Sequence, residues 1–316
     1  MLAIRPLTGR FGAELSGLDF AADLDDATAA AVRAAWIEYG VLLFRGGDLD
    51  DAAQMRLSRV FGELQPSATT VMNDAVNPYM MTLAYDPEDS DPVFSQHYRV
   101  GGIDRAGWLG WHWDQSFMPT IVRGACLRME WPSPEMGATG FIDAVEAYER
   151  LPDAMKLRIE GLEVVYELNR DYASGQFGFP DDIVALPRVE STKVQSGDFP
   201  PCVHPLVIAQ RETGRKVLKL SPMHARYVLG MAREESDRLL ADLAAHLVDD
   251  RFAYFHTWQT NDILVWDNWR MIHCAQGVPL NCARSARRTT IVGDYNLGRY
   301  LDPALDRERK LVRLVD

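Results

Sequence analysis

The segment Gly110-Trp111-His112-Trp113-Asp114 sets an imidazole and a carboxylate two positions apart. On a β-strand that interval turns both side chains to the same face. A third group able to bind metal, His273, comes shortly after the apolar run Ile263-Leu264-Val265-Trp266 and the turn-forming Asp267-Asn268. Two imidazoles and one carboxylate on one side of an ion leave its opposite side open to substrate and oxygen, the ligand set of non-heme Fe(II) oxygen chemistry. Zinc with a bound water would accept the same three groups, which keeps a hydrolase in view. Alone, a His-x-Asp pair also fits a histidine satisfied within a tryptophan-rich strand, so its neighbours have to decide.

Those neighbours include a pair of cations. Arg284-Ser-Ala-Arg287-Arg288-Thr-Thr-Ile291 reads as a strand with Arg284, Ala286 and Arg288 on one face and Arg287, Thr289 and Ile291 on the other. If Arg284 and Arg288 share the interior with the three ligands, they need anions there, because an unpaired buried charge is costly. Carboxylate guests are the expected answer.

With those residues in hand, the chain resembles the taurine dioxygenase and 2,4-dichlorophenoxyacetate dioxygenase family. The likeness runs through His112-x-Asp114, Thr139 in Gly137-Ala-Thr139-Gly-Phe, Trp266-Asp-Asn268, His273 and Arg284/Arg288. It extends to the N-terminal Pro6-Leu-Thr-Gly-Arg-Phe-Gly, the Val41-Leu-Leu-Phe-Arg-Gly46 strand and the Thr213-Gly-Arg-Lys216 turn, and so covers nearly the whole chain. The resemblance implies a mostly β fold with flanking helices, a double-stranded β-helix or jelly roll with lid insertions. It implies Fe(II) held by His112, Asp114 and His273, with 2-oxoglutarate and O2 as cosubstrates. Thr139 and Arg284 would meet the distal carboxylate of the keto acid, and Arg288 its other carboxylate or an anionic substrate. The implied reaction is oxidation, usually hydroxylation, of an unactivated C–H bond, with release of succinate and CO2. Asp114 speaks against halogenation, since related halogenases leave that ligand position to chloride.

The substrate is less legible. Taurine dioxygenase carries an asparagine four residues before the first ligand histidine; Trp108 stands here, which weighs against taurine. Trp108 shares the face of His112 if the strand extends that far back and would supply an apolar wall. His97, Tyr98 and Arg99 are candidate contacts from the preceding loop. The expectation is a small organic molecule with an aromatic or extended apolar part and an acidic group near Arg288. The competing readings are a metal- or 2-oxo-acid-binding sensor without turnover, and the zinc hydrolase.

The elements that position these residues fit one soluble catalytic domain spanning residues 1–316. A 47% hydrophobic fraction with 25% charged residues is ordinary for a globular chain, and a net charge of -12 offers no basic face for nucleic acid. The four cysteines form no Cys-x-x-Cys pair, the start Met1-Leu-Ala-Ile-Arg5 has no apolar leader, and no window reaches membrane-spanning length. A cytoplasmic protein without a membrane partner is expected, its oligomeric state open, a homo-oligomer included.

Along the chain, Asp25-Asp26 to Tyr39-Gly40 predicts a helix, Val41 to Phe44 a buried strand, and Leu49 through Phe61-Gly62 a packing helix. Residues 64–107 show no clear period and read as a long binding loop, and 171–201 as a second loop suited to cover a site. Asp143 to Glu146 predicts a capping box opening a helix from Ala144 to Leu151, and Glu234 to Leu247 an amphipathic helix.

Overall fold

In a computed structural model that describes residues 2–47, 49–193, 197–294 and 296–312, two sheets face each other around the predicted ligands. The larger has eight strands, ordered Ala3–Pro6, Ala13–Ser16, Val41–Phe44, Ile263–Asp267, Gly124–Trp131, Arg284–Ile291 and Leu64–Gln65, with Met80–Tyr85 also pairing to Arg284–Ile291. The smaller has six, ordered Val184–Ala185, Tyr98–Val100, Ile103–His112, Met271–Pro279, Thr139–Asp143 and Tyr254–His256. The chain has the jelly-roll fold.

Period-two alternation explains how the large sheet buries both faces. Leu42, Phe44, Ile263 and Val265 pack outward on the helices Asp26–Tyr39 and Asp51–Arg59, among Val32, Trp36 and Leu57. Val41, Leu43, Leu264 and Trp266 turn inward with Leu127, Met129 and Phe141. The outer side of the small sheet is covered by the helix Arg233–Leu247, whose Leu239, Leu240, Leu243 and Leu247 stripe is fully buried. A four-stranded sheet, Ala225–Val228, Glu163–Tyr166, Cys202–Pro205 and Arg299–Tyr300, contributes Val164, Tyr166 and Cys202 to the same core.

Several boundaries differ from the sequence reading. The strand Ile103–His112 ends at the first ligand, so Asp114 lies beyond it in a turn whose next residue, Gln115, has φ 57°. The two ligands converge through that turn and not through strand alternation. Residues 64–107 contain the strands Met80–Tyr85 and Tyr98–Val100, whose short, mixed composition hid their period. The capping box is half formed: Asp143 caps Val145 N at 2.9 Å, but Glu146 pairs with Arg10 at 3.3 Å, and the helix stops at Glu149. Likewise the helix from Asp51 ends at Arg59, short of Gly62. The second loop places Val184–Ala185 as an edge strand against Tyr98–Val100.

At one crossing glycine is required. Gly277 has φ +68°, and a Cβ there would meet Ala106 O at 2.7 Å, so the strand carrying His273 can lie close on the strand carrying His112. No helix of the described residues is long and apolar enough to cross a membrane.

Candidate functional site

His112 and His273 are direct cross-strand partners in the small sheet, and their ring centroids are 4.2 Å apart. Asp114 closes the group: its Oδ1 lies 3.6 Å from His273 Nε2 and 4.0 Å from His112 Nε2. Each residue is only 6–7% exposed, and the three ligand atoms lie within 4.8 Å of one another.

The protonation pattern suits a cation. Gly110 O can only accept, so the 2.7 Å contact from His112 Nδ1 fixes the hydrogen on Nδ1 and leaves Nε2 a lone pair aimed at Asp114. Burial, with His273 beside it, pushes His112 down to about 3. Burial alone would raise the Asp114 carboxyl, but Arg288 and His273 outweigh it and hold it well below the ordinary carboxylate range. Neutral imidazole and ionised carboxylate are the forms that bind a divalent metal.

The turn after the strand is held from the second histidine segment. Asn268 accepts from Asp114 N at 2.7 Å and donates to Asp114 O at 3.2 Å and Val122 O at 3.0 Å. Trp266 Nε1 donates to Asp114 Oδ2 at 3.3 Å. Below Asn268, the buried Lys219 donates to its carbonyl at 2.5 Å and lies over the Trp113 ring at 4.2 Å.

A cavity of about 310 Å³ opens over the three ligands and is walled by both sheets. Thr139, Arg284 and Arg288 all line it. Thr139 Oγ1 accepts from Trp258 Nε1 at 3.0 Å. Arg284 keeps a buried Nε without a partner, and burial lowers its guanidinium to about 10. Arg288 donates to Asp114 Oδ2 at 2.7 Å while its own Nε is buried and unpartnered. Arg287 points away, to Asp51 at 2.7 Å and Asp74 at 3.1 Å.

The loop candidates separate. Trp108 and Tyr98 line the cavity, within a cluster that includes Tyr172 and Phe179. His97 does not line it: its ring packs edge-on against Tyr85 at 5.6 Å with Nε2 buried, because the extended segment turns its neighbours Gln96 and Tyr98 to the cavity instead. Arg99 pairs with Asp104 at 2.6 Å on the surface. Trp111 and Trp113 are core, as is Cys274 on one side, although it also touches the cavity wall.

Sequence reasoning missed Trp258, the grip of Asn268, the cavity-lining Arg170 and Arg188, and His224. His224 lines the cavity and accepts from Asn169 N at 3.0 Å, with its ring 6.5 Å from that of His112. More than a hundred residues of chain separate it from His112, so no local spacing could have announced it.

A family model described as "Taurine catabolism dioxygenase TauD, TfdA family" matches residues 3–290. The chain is 31% identical over 299 residues to an (S)-phenoxypropionate/alpha-ketoglutarate-dioxygenase of Sphingobium herbicidovorans, covering 92% of this chain and 95% of that one. It is 30% identical over 306 residues to an alkylsulfatase of Acinetobacter baylyi, covering 94% and 87%. Among solved structures, AAD-2 in complex with Mn(II) and N-oxalylglycine superposes with a TM-score of 0.72 at 28% identity, covering 94% and 99%.

Proposed function

The chain belongs to the TauD/TfdA family of Fe(II)- and 2-oxoglutarate-dependent dioxygenases, and from that premise we propose that His112, Asp114 and His273 hold the iron while Thr139, Arg284 and Arg288 seat the keto acid. The observation that carries this reading is the Arg284 guanidinium, whose Nε is buried without a hydrogen-bond partner and which no carboxylate among the described residues neutralises, in the same cavity as three clustered metal-binding side chains. A carboxylate arriving there would gain a charge-assisted bond and relieve the burial cost.

Bound at the three side chains, Fe(II) supplies the redox chemistry that couples O2 and the decarboxylation of 2-oxoglutarate to oxidation of a substrate C–H bond. The chain's own contributions are positional. His112 offers Nε2 because Gly110 O occupies its Nδ1 hydrogen. Asp114 is kept anionic and aimed by Arg288, Trp266 and Asn268. Arg284 and Thr139 fix the far end of the keto acid, with Trp258 holding the Thr139 hydroxyl oxygen. Arg288 splits its guanidinium, giving Nη2 to Asp114 and keeping Nε for the keto-acid carboxylate.

The organic substrate is small, and the cavity's aromatic and methionine-rich wall suits an apolar or aromatic body. The named relatives act on a phenoxypropionate and, by name, an alkyl sulfate, both of that shape. Hydroxylation is the expected outcome. A zinc hydrolase would have no use for Arg284, and a sensor would bind keto acid without succinate release. Residues 1–316 are taken as one domain, because the site draws on strands from Ile103 to Ile291. The four cysteines, all free and buried, suit a reducing cytoplasm. The test is succinate release that requires Fe(II), 2-oxoglutarate, O2 and an organic substrate together; release of substrate fragments without keto acid would favour the hydrolase.

A further inference from the structure

The cations facing the cavity are unequally committed. Arg288 has its charge cancelled by Asp114 at 2.7 Å, and Arg284 stands with Thr139 in the proposed keto-acid site. Two more, Arg170 and Arg188, line the same cavity yet are exposed to solvent. Arg188 also borders an open surface groove formed with Ser90, Asp91 and residues 189–192. It therefore stands where cavity meets solvent, whereas His112, Asp114 and His273 lie at the closed inner end, each 6–7% exposed.

Arg188 is held in place by its backbone. Leu186 N donates to His97 O at 3.0 Å and Val189 N to Ser95 O at 2.9 Å, while the Arg188 Nε reaches Ser95 Oγ at 3.3 Å. Among the described residues no carboxylate pairs with it, and it lines both the cavity and the outer groove, so its charge is available to a guest there. Arg170, two residues beyond the wall residue Leu168, flanks the same opening and donates to Gly197 O at 2.7 Å. The remaining wall is largely apolar, with Met72, Met81, Phe94, Leu109 and Met223 among its side chains. An anion pushed down to the ligands would meet the carboxylate of Asp114; one left at the mouth would meet Arg188 and Arg170, with the Asp91 carboxylate of the outer groove already taken by Ser191 and Thr192.

We propose that Arg188, flanked by Arg170, is the anion subsite for the organic substrate, an apolar chain whose oxyanion headgroup stays at the cavity mouth and whose oxidised C–H bond lies at the end remote from it. This moves the acidic group from Arg288, where the sequence placed it, to the opposite end of the cavity, and it rests on the dioxygenase reading above. The balance is that of a hydroxylation: C–H, O2 and 2-oxoglutarate give C–OH, succinate and CO2, one oxygen atom entering the alcohol and the other succinate. The headgroup linkage stays intact. Were the headgroup beside the ligands, the carbon bearing the ester oxygen of an alkyl sulfate would be hydroxylated, and that product would collapse to an aldehyde and free sulfate.

Octyl sulfate and octanoate serve as probes, with 1-octanol as the neutral counterpart, on the wild type, Arg188→Gln and Arg188→Lys. Octyl sulfate should yield a hydroxylated octyl sulfate with no inorganic sulfate. Arg188→Gln should raise its KM by about tenfold or more, as expected for loss of a charge-assisted pair. Arg188→Lys should raise it less, and the KM values for 1-octanol and 2-oxoglutarate should stay put. Stoichiometric inorganic sulfate, an unchanged KM in Arg188→Gln, or failure of both anionic probes to bind would each overturn the subsite. The dioxygenase reading is judged apart from these results, by whether Fe(II) and 2-oxoglutarate form their visible chelate band with no probe present.

Discussion

Asn268 holds Asp114 by both sides of its backbone, accepting from the amide at 2.7 Å and donating to the carbonyl at 3.2 Å. The strand that carries His112 has already ended, so this side chain is what fixes the direction in which the carboxylate leaves the turn. Asn268→Ala would strand the buried Asp114 amide and carbonyl, at roughly 1–3 kcal/mol for each unsatisfied group. We expect a lower unfolding midpoint and a metal affinity weakened about ten- to a hundredfold, as for other groups that orient ligands. Calorimetric titration with Mn(II) would read the second effect directly; wild-type affinity would show that the turn holds without its clamp.

Arg284 should matter to the keto acid and not to the metal. Replacing it with alanine removes a charge-assisted pair worth about 1.5–3 kcal/mol, so the 2-oxoglutarate concentration for half-saturation should rise about ten- to a hundredfold. Metal affinity should be unchanged, because Arg284 does not touch the three ligands. Trp258→Phe, which removes only the donor to Thr139, should raise the requirement by less.

Lys219 should give the fold a pH dependence. Burial lowers its ammonium from the ordinary 10.5 to about 7 in the folded chain, despite Asp267 and Asp114 nearby. Between those two values the unfolded chain holds a proton that the folded chain has released, so this residue's contribution to stability rises with pH across that window. Below about pH 7 both states are protonated and its contribution is flat. Urea unfolding of the wild type and Lys219→Met at the two ends of the window should show a stability gain in the wild type that the variant lacks. Parallel curves would mean that Lys219 stays charged when buried.

Trp108 couples the strand of His112 to the second loop. Its ring lies 6.0 Å from both Tyr98 and Tyr172 and 6.1 Å from Phe179. Trp108→Ala should cost about 3–5 kcal/mol, as for other large aromatic deletions. Limited proteolysis should then cut near Tyr172–Ser174 far sooner than in the wild type. An unaltered digestion pattern would show that the loop is held by its other contacts.

What the sequence disclosed depended on how local the signal was. The Arg284/Arg288 face was legible because a four-residue interval on a strand reports direction, and His112 and Asp114 were legible as a His-x-Asp motif, although a turn and not strand alternation brings the carboxylate round. The helix from Asp26 was legible because an acidic cap and a glycine stop bracket it; the observed caps are Asp25 and Gly40. The strand Met80–Tyr85 was not, since its burial does not alternate cleanly. Asn268 was visible as part of a motif, yet its grip on Asp114 spans 154 residues and exists only after folding. Arg188 and His224 escaped for the same reason. Their meaning comes from the cavity they share, not from their neighbours in the chain.

The central claim is that His112, Asp114 and His273 hold an iron to which 2-oxoglutarate binds with its far carboxylate at Arg284. The most direct measurement is anaerobic titration of the Fe(II)-loaded protein with 2-oxoglutarate, followed by its visible charge-transfer band, in the wild type, His273→Ala and Arg284→Ala. The account predicts a saturable band in the wild type, none in His273→Ala, and the same band at a higher keto-acid concentration in Arg284→Ala. A wild-type protein that binds Fe(II) but develops no band at any keto-acid concentration would contradict it.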